Sequence, residues 1–201
     1  MTALSTKSLL SSLLLSASLL CGTAFAEGPR LGLEYESEKD NNTGMENHAF
    51  TVIPGWDFPD ERIINSVELL VERNADVGAD SDGIRARETK LFLRLRHNGE
   101  FTNRFGYYVR GGAGRSYNNA RDFNYAYVEP GLEYKLSEHW PLTVAVREIG
   151  SIDGTPNQQA NKFIIGPGYE PDEQNEFEFR LVKGSGNSNN KSWLVEYVHK
   201  F

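Results

Sequence analysis

Cysteine is almost missing from this sequence. Cys21 is the only one, and it lies within the first 26 residues. The remainder of the chain can form no disulfide, no thiolate nucleophile and no cysteine-ligated zinc site. Histidine is scarce too: His48, His97, His139 and His199 are all there are. Period-two parity puts His48, His97 and His199 on the apolar side of their segments and His139 in a turn. No histidine general base or metal cluster is therefore expected. Asp76, Asp80, Asp82 and Gly83 are spaced somewhat like a calcium loop, but Gly78 and Thr89 fall at its first and last ligand positions. The stretch reads as a solvated acidic loop. No catalytic constellation and no cofactor motif remains, so the chain is not expected to be an enzyme. Basic charge is also short, with 21 Lys and Arg against 28 Asp and Glu and a net charge of −7. That balance argues against nucleic acid as a partner. Beyond residue 26 no apolar run approaches the roughly 20 residues of a spanning helix. A chain of this kind could cross a membrane only as strands.

What is present begins with an export signal. Lys7 supplies a basic start, and Leu9, Leu10, Leu13, Leu14, Leu15, Leu19 and Leu20 form a short apolar stretch interrupted by serine. Ala24-Phe25-Ala26 has the small-x-small form of a cleavage site. Residues 1–26 are expected to be a signal peptide, and 27–201 the exported domain. Lipid attachment at Cys21 fits less well, because the bulky Leu20 precedes it.

The exported part repeats one pattern. Segments of about ten residues alternate apolar and polar, separated by Gly, Asn, Asp and Pro clusters. They fall near 30–38, 48–58, 62–72, 86–97, 104–114, 124–135, 142–149, 161–170, 176–183 and 192–201. One face carries residues such as Leu31, Phe50, Leu93, Val109, Val144, Phe179 and Trp193; the other carries Glu68, Arg94, Arg110, Glu129, Arg147, Arg180 and Glu196. An even number of strands with an apolar side and a charged side predicts an all-β, transmembrane, antiparallel up-and-down β-barrel. Apolar residues would face lipid, and charged ones a lumen. Trp56, Phe58, Phe101, Phe105, Tyr134, Trp140, Phe177 and Phe201 cluster at one set of strand ends, where an interfacial aromatic girdle belongs. The last strand, 192–201, ends on Phe201. It is similar to the C-terminal signature by which the barrel-assembly machinery recognises outer-membrane barrels. The expected location is the outer membrane of a Gram-negative bacterium, with outer-membrane lipid as the surroundings.

Three strands share a Pro-Gly step at matching depth: Pro54-Gly55, Pro130-Gly131 and Pro167-Gly168. Proline cannot donate to a ladder, so a bulge or a local break in pairing is expected at each. Glycines on the lumen face would either leave space inside or let the strands bend.

With these Pro-Gly strands, the signal peptide, the terminal Phe201 and the basic lumen positions, the chain resembles the small monomeric porins specific for oligogalacturonates and related acidic sugars. That family has twelve strands where ten are counted here, so twelve stays possible. The resemblance implies a monomer through which small anionic solutes, acidic oligosaccharides among them, diffuse along basic tracks. The residues available for such tracks are Lys90, Arg94, Arg96, Arg104 and Arg110 on one wall and Arg147, Lys162 and Arg180 on another. Tyr125 and Tyr127 lie between, placed to stack on sugar rings. Glu34, Glu36, Glu68 and Glu72 would form a facing acidic wall. The alternative is a closed barrel with a structural or surface-interaction role, whose acids and bases pair and fill the lumen.

Overall fold

The structure, a computed structural model, describes residues 28–42, 44–58, 63–76, 87–118, 122–154, 159–186 and 189–201. The expected signal peptide and the acidic loop positions Gly78, Asp80, Asp82 and Gly83 lie outside them. Ten strands account for nearly all of the described chain: β1 (Gly28–Asp40), β2 (Glu46–Asp57), β3 (Ser66–Asp76), β4 (Arg87–Thr102), β5 (Phe105–Asn118), β6 (Phe123–Ser137), β7 (Trp140–Ser151), β8 (Ala160–Tyr169), β9 (Asn175–Gly186) and β10 (Asn190–Lys200). Each pairs antiparallel with its sequence neighbours, and β10 pairs with β1, which closes the barrel. The count is ten, not twelve.

Closure removes both sheet edges, so every strand finds ladder partners on two sides. Period-2 alternation then sorts the side chains. Leu93, Val109 and Phe179 sit on the exposed outer wall, while Arg94, Arg110 and Arg180 on the same strands are buried inside. Exposed large apolar residues occur on nine of the ten strands, and on β3 the outward Val67, Leu69 and Val71 are half-buried. A wall of this kind far exceeds the few hundred Å² of contiguous apolar surface typical of soluble monomers, and it suits a hydrocarbon solvent. Aromatic rings mark its lower edge, at the end where the chain enters and leaves the barrel. There Trp140 packs on Tyr169 (4.7 Å), Phe177 on Tyr197 (4.8 Å) and His199 on Phe201 (4.7 Å).

The three Pro-Gly steps interrupt pairing without shifting it. Between β2 and β3 the ladder runs to Val52↔Val71, skips two pairs, and resumes in the same register at Gly55↔Glu68. Val128↔Glu148 and Gly131↔Ala145 bracket the same gap between β6 and β7, as do Ile165↔Leu181 and Gly168↔Glu178 between β8 and β9. The missing N–H opens the ladder locally and no extra residue is inserted. True register shifts occur elsewhere, at Glu100/Thr102 and Lys135/Ser137, beside the tight turns.

Most strand ends differ from the sequence reading by one to five residues, and two of these differences bear on the site. β3 starts at Ser66, not 62. Ile63 and Ile64 belong instead to the preceding connection, where Phe58 N donates to the Asn65 carbonyl at 2.7 Å and Asn98 N to its side-chain oxygen at 2.6 Å. β4 continues to Thr102, so the turn into β5 contains only 103–104.

Candidate functional site

Inside the wall the charged faces of the strands meet. Glu68 of β3 and Arg94 of β4 are register neighbours and form an ion pair. From Arg94 the Nη2 group reaches Glu196 Oε1 of β10 at 3.4 Å, across the lumen. Arg180 of β9 is 0% exposed; it pairs with Glu178 on its own strand and approaches Glu196 Oε2 at 3.4 Å. Arg110 of β5 spans the lumen again, with Nη2 at 3.8 Å from Glu178 and Nη1 at 3.8 Å from Glu129. Glu129 of β6 is 0% exposed and accepts hydrogen bonds from Arg147 Nε (2.5 Å) and the Tyr108 hydroxyl (2.9 Å). The result is one alternating chain: Glu68, Arg94, Glu196, Arg180, Glu178, Arg110, Glu129, Arg147. It forms a waist at mid-height. Pairing of this kind is what permits so many charges to be buried, since a lone ion in a low-dielectric interior is penalised by several kcal/mol.

The waist divides the lumen into two cavities with no lining residue in common. The one towards the chain termini measures about 260 Å³ and is bordered by Arg30, Arg96, Tyr108, Arg110, Glu133 and Glu176, among others. The one towards the opposite end measures about 310 Å³ and is bordered by Glu34, Glu36, Lys90, Arg94, Tyr125 and Lys162, among others. In the second cavity Glu38, Glu72 and Glu88 add further carboxylates, and Arg147 a further cation.

The basic residues singled out from the sequence do point inward, with one exception. Arg104 sits in the two-residue turn between β4 and β5, exposed at the barrel rim, because β4 is longer than its hydrophobic pattern implied. Its assignment to the lumen wall is corrected accordingly. Each of the others already faces a carboxylate. Lys90 contacts Glu72 (2.8 Å) and Glu88 (3.4 Å), Lys162 contacts Glu38 (3.2 Å) and Glu36 (4.0 Å), and Arg96 lies 3.9 Å from Glu133. Arg94, Arg110, Arg147 and Arg180 are held in the waist. Of the acidic wall, Glu68 is in the waist and Glu36 and Glu72 are paired with lysines. Glu34 has no described cation within ion-pair distance and stands in register with Glu196.

Tyr125 and Tyr127 face inward, as read from the sequence, but their ring faces are occupied. Phe92 of β4 stacks on both, at 5.3 Å and 4.7 Å, and Arg147 lies over Tyr127 at 4.9 Å. Gly112 and Gly114 on β5 make room for Phe92: a Cβ at Gly114 would fall 2.6 Å from the Phe92 ring. The Pro-Gly glycines serve similarly. A Cβ at Gly131 would lie 2.4 Å from the Tyr108 ring, and one at Gly55 would meet Glu68 Cγ at 2.9 Å. The space they leave is filled from the adjoining strand.

Several inward residues were missed as site members. Glu129, Glu178 and Glu196 have the correct parity, and that parity was the signal available. Arg30 reaches Asp57 at 3.0 Å and Glu68 at 3.4 Å. The lumen also contains an apolar patch of Tyr108, Ala145, Ile164, Val182 and Leu194 on the side read as charged. The four histidines take no part in the lumen network. His48 is hydrogen-bonded to Tyr35, His97 to Tyr107 and His199 to Asn175, while His139 Nδ1 donates to the Glu170 carbonyl.

The sequence matches no known family model and no curated protein. The fold does have solved counterparts. An outer membrane channel from Pseudomonas putida F1 is 9% identical and has a TM-score of 0.53, covering 90% of this chain and 97% of that one. The translocator domain of the autotransporter NalP from Neisseria meningitidis is 12% identical with a TM-score of 0.52, covering 97% and 96%. The KdgM porin in complex with disordered oligogalacturonate is 9% identical with a TM-score of 0.46, covering 85% and 99%. At these identities the likeness is one of fold alone: a closed antiparallel β-barrel.

Proposed function

We propose that this chain is a porin-like barrel of the Gram-negative outer membrane, passing water and small ions through a narrow lumen. It would be exported by its N-terminal signal and delivered to the assembly machinery through β10. The charged waist is the observation that carries the reading. It sets paired charges across the lumen between the two cavities, a barrier that water and small ions would pass more readily than a sugar ring. Within the waist Arg110 and Arg180 each keep Nε and Nη1 without a hydrogen-bond partner among the described residues. These groups offer a polar path from one cavity to the other as side chains exchange partners.

Selectivity follows from the balance of charge. The cavity far from the termini has Glu34, Glu36, Glu38, Glu72 and Glu88 against Lys90, Arg94, Arg147 and Lys162. Fields in a narrow pore act at close range, so this balance favours small cations over anions. The acidic oligosaccharides suggested by the sequence resemblance are less well supported, because every expected basic residue that faces the lumen has a carboxylate opposite. Planar-bilayer recording tests the proposal. Small, cation-preferring conductance steps are expected, without block by an acidic oligosaccharide. Anion preference with such block would instead restore the basic-track reading.

The contacts Arg94–Glu196 and Arg110–Glu178, which cross the lumen, favour a second reading: a closed barrel with a structural or surface role. Folded, inserted protein with no conductance at any salt concentration would decide for it.

A further inference from the structure

The outer wall bears a charge pattern that the lumen does not explain. Lys39 on β1 stands directly opposite Lys191 on β10, and Lys191 directly opposite Lys183 on β9. All three alternate outward and are exposed. Neighbouring strands lie about 4.8 Å apart, so three ammonium groups occupy one short row. Like charges in directly opposed positions destabilise a sheet. Lys39 has Glu46 at 3.7 Å. No described carboxylate lies within ion-pair distance of Lys183 or Lys191.

The level of the row identifies what could neutralise it. Two residues below Lys191, on the same face, is Trp193, which packs against Tyr35 at 5.4 Å and Phe179 at 6.5 Å. Phe163 stands opposite Lys183. Tryptophan and tyrosine settle at the boundary between acyl chains and headgroups. One alternation step further out, roughly 7 Å along the strand, is the depth of the headgroup phosphates. Just beyond it, Asn41 donates to Asn189 (3.3 Å) and Asn189 to Asn42 (3.0 Å), forming a polar clasp. Apolar and aromatic residues below, cations in a row, and amides above match the layers of a phosphorylated lipid.

We infer that Lys39, Lys183 and Lys191 form a binding site for the phosphate groups of a lipid headgroup in the leaflet opposite the chain termini. The inference rests on the membrane-spanning reading and is independent of conduction.

The test uses the full exported chain refolded into phosphatidylcholine vesicles, with or without a diphosphorylated glucosamine lipid. Wild type is compared with K183S/K191S and with R104S, which removes an exposed cation from the opposite rim. The readouts are lipid retained by the protein in native mass spectrometry and the midpoint of heat unfolding. The phosphorylated lipid should be retained by wild type and R104S and should raise their midpoints by several degrees. K183S/K191S should lose more than half of both effects while folding normally in plain phosphatidylcholine. Equal retention by K183S/K191S would overturn the site. So would an equal loss in R104S, which would indicate general charge attraction, or the same stabilisation by inorganic phosphate alone. Failure of the wild type to insert at all would overturn the membrane reading and the site with it, whereas insertion without lipid preference overturns the site alone.

Discussion

Replacing Glu129 by glutamine tests the waist at its most enclosed carboxylate. Glu129 is 0% exposed and accepts from Arg147 at 2.5 Å and from Tyr108 at 2.9 Å, with Arg110 at 3.8 Å. Glutamine is nearly isosteric and can still accept the Tyr108 hydrogen bond, so what it removes is the charge. Two guanidinium groups then lose a counter-ion. Removing one partner of a buried pair costs about 3–5 kcal/mol. Two features put this case at the lower end. Arg110 keeps Glu178 at 3.8 Å, and the Arg147 side chain is 20% exposed, lying over the Tyr127 ring at 4.9 Å. The expected cost is therefore about 3 kcal/mol. Urea unfolding in vesicles, followed by tryptophan fluorescence, measures it. Adding R147Q should recover part of the loss, with a coupling energy of about 1–3 kcal/mol between the two sites. In bilayer recordings E129Q should also move ion preference towards anions, since the waist becomes one unit more positive. A cost below about 1 kcal/mol, the worth of an exposed pair, would refute the reasoning, because it would mean that bulk water screens the waist.

Leu93, 51% exposed on the outer wall, should tolerate arginine poorly: L93R is expected to cost about 2–4 kcal/mol at mid-membrane depth, by the same unfolding assay. G131V should displace the Tyr108 ring, which a Cβ at Gly131 would approach to 2.4 Å, at a cost of about 1–3 kcal/mol; Tyr108 should then lose its hydrogen bond to Glu129, visible as a shifted tyrosine absorption. In the β8–β9 turn the Asp172 carboxylate accepts from the Asn175 side chain at 2.8 Å and from the Gln174 and Asn175 amides, which holds its pKa below the usual value. A lowered folded pKa stabilises the turn above the ordinary aspartate range, and that support is lost as pH falls through the lower folded value. Exchange of the Gln174 and Asn175 amides should therefore speed up in acid relative to neighbouring turns, and D172A should abolish the difference.

The wall of the barrel was legible because it obeys a local rule. A period of two, read along ten segments, separates Leu93 from Arg94 and Phe179 from Arg180 without knowledge of any partner strand. Strand ends were less legible because they depend on hydrogen bonds outside the hydrophobic pattern. Ile63 and Ile64 look like strand residues and are not, since Asn65 closes the turn behind them with two bonds to its oxygens. His97 to Thr102 look like a connection and are not, since β5 supplies a ladder for them. Arg104 was misplaced by that one error of length.

The lumen was legible in composition but not in pairing, and the cause is geometric. Eight strands enclose a space that side chains just fill, and ten enclose little more. An arginine on one wall and a glutamate on the opposite wall can therefore touch, as Arg94 and Glu196 do across 102 residues of sequence. Reading charges strand by strand groups Lys90, Arg94, Arg96 and Arg110 into a basic wall, because these residues are close along the sheet. Ion pairing depends also on distance through the lumen, where Arg94, Arg96 and Arg110 meet carboxylates of non-adjacent strands, while Lys90 is paired within the sheet by Glu72 and Glu88. In a wider barrel the in-sheet pairs Glu68–Arg94, Glu72–Lys90 and Glu129–Arg110 would persist, but the cross-lumen contacts Arg94–Glu196 and Arg110–Glu178 would open and leave a passage for solute. At ten strands, the strand number converts two charged walls into one ion-paired waist, so the number of strands, more than the identity of the charges, sets what such a lumen can pass.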